Sequence, residues 1–312
     1  MIPADFIIEW RKFAPWKSNA QVEQDLVISR ALIEIFRSAT LGRKLAFRGG
    51  TALHKLHFPL PLRYSEDLDF VQQEPEAIGE TFDAIRGVLD PWLGEPRREL
   101  KEGLVKLLYR FETEDGRKSK LKVEINSREH FAAVGIVKVP YQISSRWYSG
   151  KAQVSVLSPP WLLGSKLRAL YQRRKARDLF DLAVSLQQRI AEPEAIAESF
   201  VLHLKACGQA ISRAEIEENL YLKLKDKVFL ADLTPLLAGD AAGFDLAEAC
   251  DYLIRTLIAK VPGDPWKGRA EAEHHEAVDG IRTGLEEIAK GKTKPADEVF
   301  ASMRKKHKIQ RE

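Results

Sequence analysis

Two cysteines in 312 residues, Cys207 and Cys250, are too few for a disulfide framework or a thiolate metal cluster. Both lie in apolar, helical surroundings and are expected to be buried thiols. No stretch approaches the roughly 20 apolar residues that span a bilayer. The opening MIPADFIIEWRKF is broken early by Asp, Glu and Arg, so it lacks the apolar core of a signal peptide. These absences point to a reduced cytoplasmic compartment and no membrane partner. The histidines are scattered and His274-His275 has no zinc-ligand company, which argues against structural zinc. Internal repeats and long low-complexity linkers are missing. A large excess of one charge is missing too: 49 Lys and Arg face 45 Asp and Glu, a net of +4. That balance is compatible with a nucleic-acid partner without demanding one. What is present is ample Leu, Ile, Val and Phe in a chain long enough for two modest domains or one large one.

The most informative stretch is FRGGTALHKLHFPLPLRYSEDLDF, from Phe47 to Phe70. A short apolar run, Leu45-Ala46-Phe47, reads as a strand that turns through Gly49-Gly50-Thr51 into a helix over 52–57. Glycines at such a turn let backbone approach a phosphate, and the helix start adds amide donors and a favourable dipole. Pro59 and Pro61 then force a loop. Asp67-Leu68-Asp69-Phe70-Val71 reads as a strand, which projects Asp67 and Asp69 to one face and Leu68 and Phe70 to the other. Two carboxylates side by side repel unless a cation sits between them. Hard oxygen ligands suit Mg²⁺ or Mn²⁺, which commonly link carboxylates to a substrate's phosphates. Taken singly, a Gly-Gly is ordinarily just a turn and an Asp-x-Asp a solvated strand edge; their ordered combination favours a site for a metal-bound nucleoside triphosphate.

Gly-Gly-Thr followed by Asp-x-Asp resembles the signature of the DNA polymerase β-type nucleotidyltransferases. The longer Arg63-Tyr64-Ser65-Glu66-Asp67-Leu68-Asp69-Phe70 is similar to the AbiEii/AbiGii branch, the toxin halves of AbiE-like and MenT-like toxin–antitoxin pairs. The resemblance implies that Gly49, Gly50 and Thr51 position the phosphates with Arg63 and Ser65 close by. Ser65 either donates to phosphate or caps the loop. Arg48 is a candidate phosphate or acceptor contact, with a structural strand-end role as its alternative.

Upstream, Val22, Leu26, Ile28, Ala31, Leu32, Ile35 and Phe36 recur at helical spacing, so residues 1–40 read as helices flanking a sheet. Downstream, 77–89 reads as an amphipathic helix ending near Asp90-Pro91. Leu104–Glu112 and Ser119–Asn126 read as a hairpin around Glu114-Asp115-Gly116. In the second strand Leu121, Val123 and Ile125 face one way, and Lys122, Glu124 and Asn126 the other. The family pattern expects a third carboxylate on a neighbouring strand, and Glu124 matches it, with Glu112 as competitor. A strand at 153–157 leads to Ser158-Pro159-Pro160, which reads as an N-cap with proline in the first helical turn. The rest reads as helical, with breaks near 191–193, 207–208, 233–235, 239–243 and 261–265. The expected fold is α+β: a mixed-sheet nucleotidyltransferase lobe over 1–157, then an all-helical lobe over 158–312.

In the helical part, Leu163, Leu167 and Leu170 form an apolar stripe with Lys166 on another face. No acid occurs from Lys166 to Arg177, while Arg168, Arg173, Arg174, Lys175 and Arg177 do. Leu179, Leu182, Ala183 and Leu186 then make an apolar stripe, and Asp178, Asp181 and Ser185 share another face of the same helix. AbiEii-like proteins carry a similar Lys-Leu-x-Ala-Leu segment followed by Arg-Asp-x-x-Asp-Leu. That resemblance implies that Lys166 binds the triphosphate and Asp178 organises the site, by orienting a basic neighbour or by activating the incoming hydroxyl. On residues alone, Arg177, Asp178 and Asp181 would read as an exposed, salt-bridged helix start. Together these imply a metal-dependent enzyme in which Asp67, Asp69 and Glu124 hold one or two Mg²⁺ or Mn²⁺ ions. The resemblance to MenT-like toxins implies that such an enzyme transfers NMP from an NTP to the 3′ end of tRNA and releases pyrophosphate, blocking translation. A separate AbiEi-like antitoxin would neutralise it. The basic run from Lys166 to Arg177 meets either a polyanion or the triphosphate alone. The cluster Arg304-Lys305-Lys306-His307-Lys308 reads as a solvated tail, with an RNA clamp as the alternative. A transferase acting on a small hydroxylated molecule such as an aminoglycoside, and a non-catalytic NTP-binding module, are the competing readings.

Overall fold

The computed structural model describes residues 2–101, 103–130, 135–241, 243–268, 282, 283 and 286. Met1–Asp264 forms one compact unit and Pro265–Glu312 clusters separately. His274-His275 and the basic cluster at 304–308 lie outside the described residues. Among the described residues no helix is long and apolar enough to cross a membrane.

The chain opens with α1 (Ala4–Trp10), α2 (Asn19–Arg37) and α3 (Ala39–Lys44). Ser18 and Gln21 close a reciprocal capping box that starts α2, satisfying amides a helix start leaves open. The apolar positions expected for this helix are all buried. Next come β1 (Leu45–Arg48), α4 (Gly49–Leu56), β2 (Asp67–Gln72), α5 (Ile78–Leu93) and β3 (Arg97–Lys101). The strands β4 (Leu104–Glu112), β5 (Lys118–Asn126), β6 (Ile136–Ser144) and β7 (Ser149–Leu157) complete one seven-stranded sheet, ordered β3-β4-β5-β2-β1-β7-β6. The sheet is mixed: β2 runs parallel to β5 and β1 parallel to β7, while the other neighbours are antiparallel. Every described helix or strand after Leu157 is a helix, beginning with α6 (Pro159–Gln172), α7 (Ala176–Gln187), α8 (Pro193–Ala206), α9 (Arg213–Leu224), α10 (Lys227–Ala231) and α11 (Leu246–Thr256).

The alternation read from the sequence sets the two faces of the sheet. Leu68, Phe70, Leu121, Val123 and Ile125 are fully buried, and the Phe70 ring packs on Phe36 of α2 and Phe47 of β1. The residues between them turn the other way, where α4, α6 and α7 gather. Two expectations need correction. The helix expected to end near Pro91 continues to Leu93, because a proline in the last turn forfeits one backbone bond and Gly94 supplies the stop at φ 75°. Ser158 is the N-cap of α6 with proline in its first turn, as expected, although its side chain makes no cap bond. Cys207 is exposed, because it is the C-cap where the chain leaves α8 through Gly208, whereas Cys250 is buried as expected. Two strands carry no clear signal in the sequence. β6 carries Pro140 and β3 is short, and both are edge strands, where a missing donor or a weak pattern is tolerated.

Candidate active site

Arg48 ends β1, and Gly49 turns the chain straight into α4 with φ 82°. A side chain at Gly49 would overlap the Asp69 carboxylate, and one at Gly50 would overlap the Arg63 guanidinium. Both glycines are therefore needed for close approach, and Gly49 for backbone conformation as well. The glycine turn is thus packed directly on the acidic strand.

The parallel register of β2 and β5 places Asp69 beside Glu124 and Asp67 beside Lys122. Asp67, Asp69 and Glu124 share a cleft of about 560 Å³ with Gly50, Lys166 and Asp178. Burial, then Asp67, then Glu124 push the Asp69 carboxyl up to about 6. The Lys122 ammonium lies between the other two acids, 2.7 Å from Asp67 Oδ2 and 3.0 Å from Glu124 Oε1. Lys106 Nζ donates to Glu124 as well, at 2.8 Å. Burial opposes the charge on Glu124, but the two lysines outweigh it and hold its carboxyl below the usual range. These residues test the cleft for a divalent ion. The donors are all carboxylate oxygens, a cationic nitrogen already bridges two of them, and burial and the other two acids together outweigh Arg48 and Lys122 at the third, so the set fits a hard cation. As the side chains stand, no group of three His, Cys, Asp or Glu among the described residues is gathered tightly enough to hold one, and Glu124 is engaged by lysines instead.

The helical side of the cleft centres on a carboxylate. Asp181 of α7 is fully buried and receives Arg63 Nε at 2.7 Å, Arg63 Nη2 at 2.6 Å, Lys166 Nζ at 2.6 Å and His54 Nε2 at 3.1 Å. Burial alone would neutralise this acid; Arg63 and Lys166 reverse that and hold it well below the ordinary carboxylate range. Asp178, one turn earlier, is also fully buried and takes a bidentate pair from Arg173 at 2.7 and 2.8 Å, with Lys166 Nζ 3.4 Å away. Its carboxyl is likewise held low against burial, by Lys166 and Arg173. The face expected to be exposed on residues alone is instead the core of the site.

The smaller polar residues brace the turn. The Thr51 hydroxyl donates to the Asp67 carbonyl at 2.6 Å, so its 2.8 Å contact with Ser65 Oγ uses the Ser65 proton. Arg63 is buried, and its remaining Nη1 donates to the Tyr64 carbonyl. The loop carrying it is pinned from behind, Tyr64 N donating to Leu236 O and Ala238 N to Leu62 O. Gly49 opens on an adjoining cleft of about 250 Å³, shared with Gly50, Asp69, Glu124, Lys166 and Asp178. There Glu129 is clasped by Arg48, at 2.6 Å, and by Arg168. Burial opposes that charge, yet the two arginines bring its carboxyl down to about 2. Every site residue expected from the sequence except Thr51 lines one of these two clefts, with Asp67, Asp69 and Glu124 not gathered into a ligand set as they stand; Glu112 pairs with Lys118 at the far end of the hairpin. The sequence assigns no part to Lys122, His54 or Glu129, and Arg173 enters it only as a member of the basic run. Lys122 had a local signal, since it alternates with Glu124; Glu129 had none.

A family model described as "Nucleotidyl transferase AbiEii toxin, Type IV TA system" matches residues 30–253, well over half of the chain. Among solved structures the chain is similar to MenT4, a nucleotidyltransferase toxin from Mycobacterium tuberculosis. That match has 18% identity and a TM-score of 0.55, covering 87% of this chain and 98% of that one. At this identity the likeness shows the fold. A protein from H. pylori described as a candidate nucleotidyltransferase is also similar, with 18% identity, a TM-score of 0.49 and coverage of 78% of this chain and 95% of that one. No curated protein matches.

Proposed function

The chain belongs to the AbiEii nucleotidyltransferase toxin family of type IV toxin–antitoxin systems, and on that premise we propose that it transfers NMP from an NTP to the 3′ end of tRNA, releasing pyrophosphate. The observation that carries this reading is the convergence of Asp67, Asp69 and Glu124 with Lys166 and Gly50 on one cleft. In the reaction the acceptor hydroxyl oxygen bonds to the α-phosphorus as the bond from that phosphorus to the pyrophosphate oxygen breaks. Asp67 and Asp69, with Glu124, would hold Mg²⁺ or Mn²⁺, which when bound neutralises phosphate charge and acidifies the acceptor hydroxyl. Gly49 and Gly50 keep side chains away so that phosphates can approach the start of α4. Lys166 presents an ammonium to the leaving pyrophosphate, where developing negative charge is stabilised. Asp178 is unsuited to taking the hydroxyl proton, since Arg173 occupies both its oxygens and its carboxyl is held low. We assign it to orienting Arg173 and Lys166. Asp181 fixes Lys166 and Arg63 in the same way. The family description implies a cognate antitoxin.

The test is incubation with each α-labelled NTP, total RNA and Mg²⁺ or Mn²⁺. Label on tRNA supports the proposal. Label on an aminoglycoside with untouched tRNA contradicts the acceptor. Metal-dependent NTP binding without turnover contradicts catalysis.

A further inference from the structure

The strand register of the carboxylate cleft pairs acids with lysines. β5 aligns Lys122 with Asp67 of β2, and β4 aligns Lys106 with Glu124 of β5. Lys122 then does more than answer its neighbour. Its ammonium reaches Asp67 Oδ2 at 2.7 Å and Glu124 Oε1 at 3.0 Å, spanning the two strands. Lys106 Nζ takes the same Glu124 oxygen at 2.8 Å. These are oxygens that a divalent ion in the cleft would need. A hard dication and an ammonium cannot both sit on them, since each repels the other at such range.

Charge and exposure decide which group gives way. From β2, β4 and β5, the carboxylates of Asp67, Asp69 and Glu124 and the ammoniums of Lys106 and Lys122 line the cleft. A divalent ion added with Lys122 in place turns that strand-borne set net positive, whereas with Lys122 withdrawn the set is neutral. The Lys122 side chain is 25% exposed, so its four-carbon stem can carry the ammonium to water. Lys166 has no such freedom. Its side chain is 6% exposed, and its ammonium sits 2.6 Å from the buried Asp181.

We propose that Lys122 is a built-in counter-ion of the cleft, which occupies carboxylate oxygens that a divalent ion needs and is displaced into solvent when one binds. Until then it keeps Asp67 and Glu124 from facing each other as bare charges. Its presence lowers the affinity of the free protein for metal, because the arrangement able to take the ion is only a fraction of the whole. The inference rests on the transferase reading for the seat of the ion.

The direct test is titration of the nucleotide-free full chain with Mn²⁺ alone, followed by the electron paramagnetic resonance of the unbound ion in about 0.15 M salt. Lys122→Met is expected to bind Mn²⁺ about tenfold more tightly than the parent, and Lys122→Arg, which keeps the charge, within about twofold of it. A gain of about threefold or more in Lys122→Met supports the proposal; a smaller gain, a loss, or no binding by either protein overturns it. An equal gain in Lys122→Arg overturns it too. So does an equal gain in Lys118→Met, which removes an exposed charge at the far end of the same strand, because net charge alone would then account for the effect. The parent carries a second readout that needs no variant. Saturating Mn²⁺ is expected to speed acetylation of Lys122 by acetic anhydride, read by peptide mass spectrometry with Lys118 as the internal reference; an unchanged or slower rate overturns the proposal. Label transfer by the parent without the gain in Lys122→Met removes the role of Lys122 and leaves the transferase standing. The gain in a protein that transfers nothing does the reverse.

Discussion

Asp69 is the residue on which stability and chemistry pull apart. Its folded carboxyl is raised to about 6 by burial, Asp67 and Glu124. A raised value means the folded state holds the proton more tightly, so this side chain favours folding below the ordinary carboxylate range and loses that contribution as pH rises through about 6. At neutral pH the charged form therefore weighs against the fold. In chelator at pH 7.5, Asp69→Asn is expected to melt higher than the parent, by about 1–2 kcal/mol, and the advantage should vanish near pH 4. A lower melting point would contradict the crowding of acids described above. Gly49→Ala should behave oppositely. Its φ of 82° and the neighbouring Asp69 carboxylate leave no room for a methyl group, so a loss of about 1–2 kcal/mol and impaired transfer are expected, read by thermal melts and label incorporation. At this scale the shared face of Asp67 and Asp69, and that of Lys122 and Glu124, could be read from the sequence because strand alternation is a local property, whereas only the family resemblance singled out Glu124. That Lys122 bridges Asp67 and Glu124 could not, since it depends on how two distant strands align.

Between elements, Asp181 is the joint. One carboxylate on α7 holds Lys166 of α6, His54 of α4 and the Arg63 that braces the loop before β2. Removing one partner from such a buried set strands the others' charges. Asp181→Asn is expected to cost about 3–5 kcal/mol in denaturant unfolding, whereas Arg174→Ala, which breaks an exposed pair with Asp226, should cost no more than about 1. Because the Asp181 carboxyl is held well below its ordinary value, its contribution is present above that value and lost as pH falls towards the folded one. The parent should therefore lose its margin over Asp181→Asn in acid. The helices flanking the sheet and the β4–β5 hairpin followed their periodicity and turn residues. β6 did not, since Pro140 breaks the strand signal and only its edge position makes it tolerable. The continuation of α5 past Pro91 is likewise decided by place in the helix rather than residue type.

For the whole molecule, the run from Lys166 to Arg177 is less basic than its composition suggests. Arg168 faces Glu129, Arg173 faces Asp178, Arg174 faces Asp226 and Lys175 faces Asp232. None of those acids lies inside the run, so the neutralisation emerges only on folding. Removing a side chain that neutralises one RNA phosphate makes the salt dependence of binding shallower by about 1 in log–log slope. Replacing Arg174 and Lys175 with alanine should leave the slope of tRNA binding within about 1 of the parent; a change of about 2 would mean that both touch the acceptor backbone. The central claim, that the acidic cleft beside the glycine turn is the seat of nucleotidyl transfer, is tested most directly by mass spectrometry of purified tRNA after incubation with NTP and Mg²⁺ or Mn²⁺. The expected result is added nucleotide at the 3′ end with matching pyrophosphate release, absent in Asp69→Asn and Lys166→Met. Unchanged tRNA with the parent protein, or equal addition by folded Asp69→Asn, would contradict it.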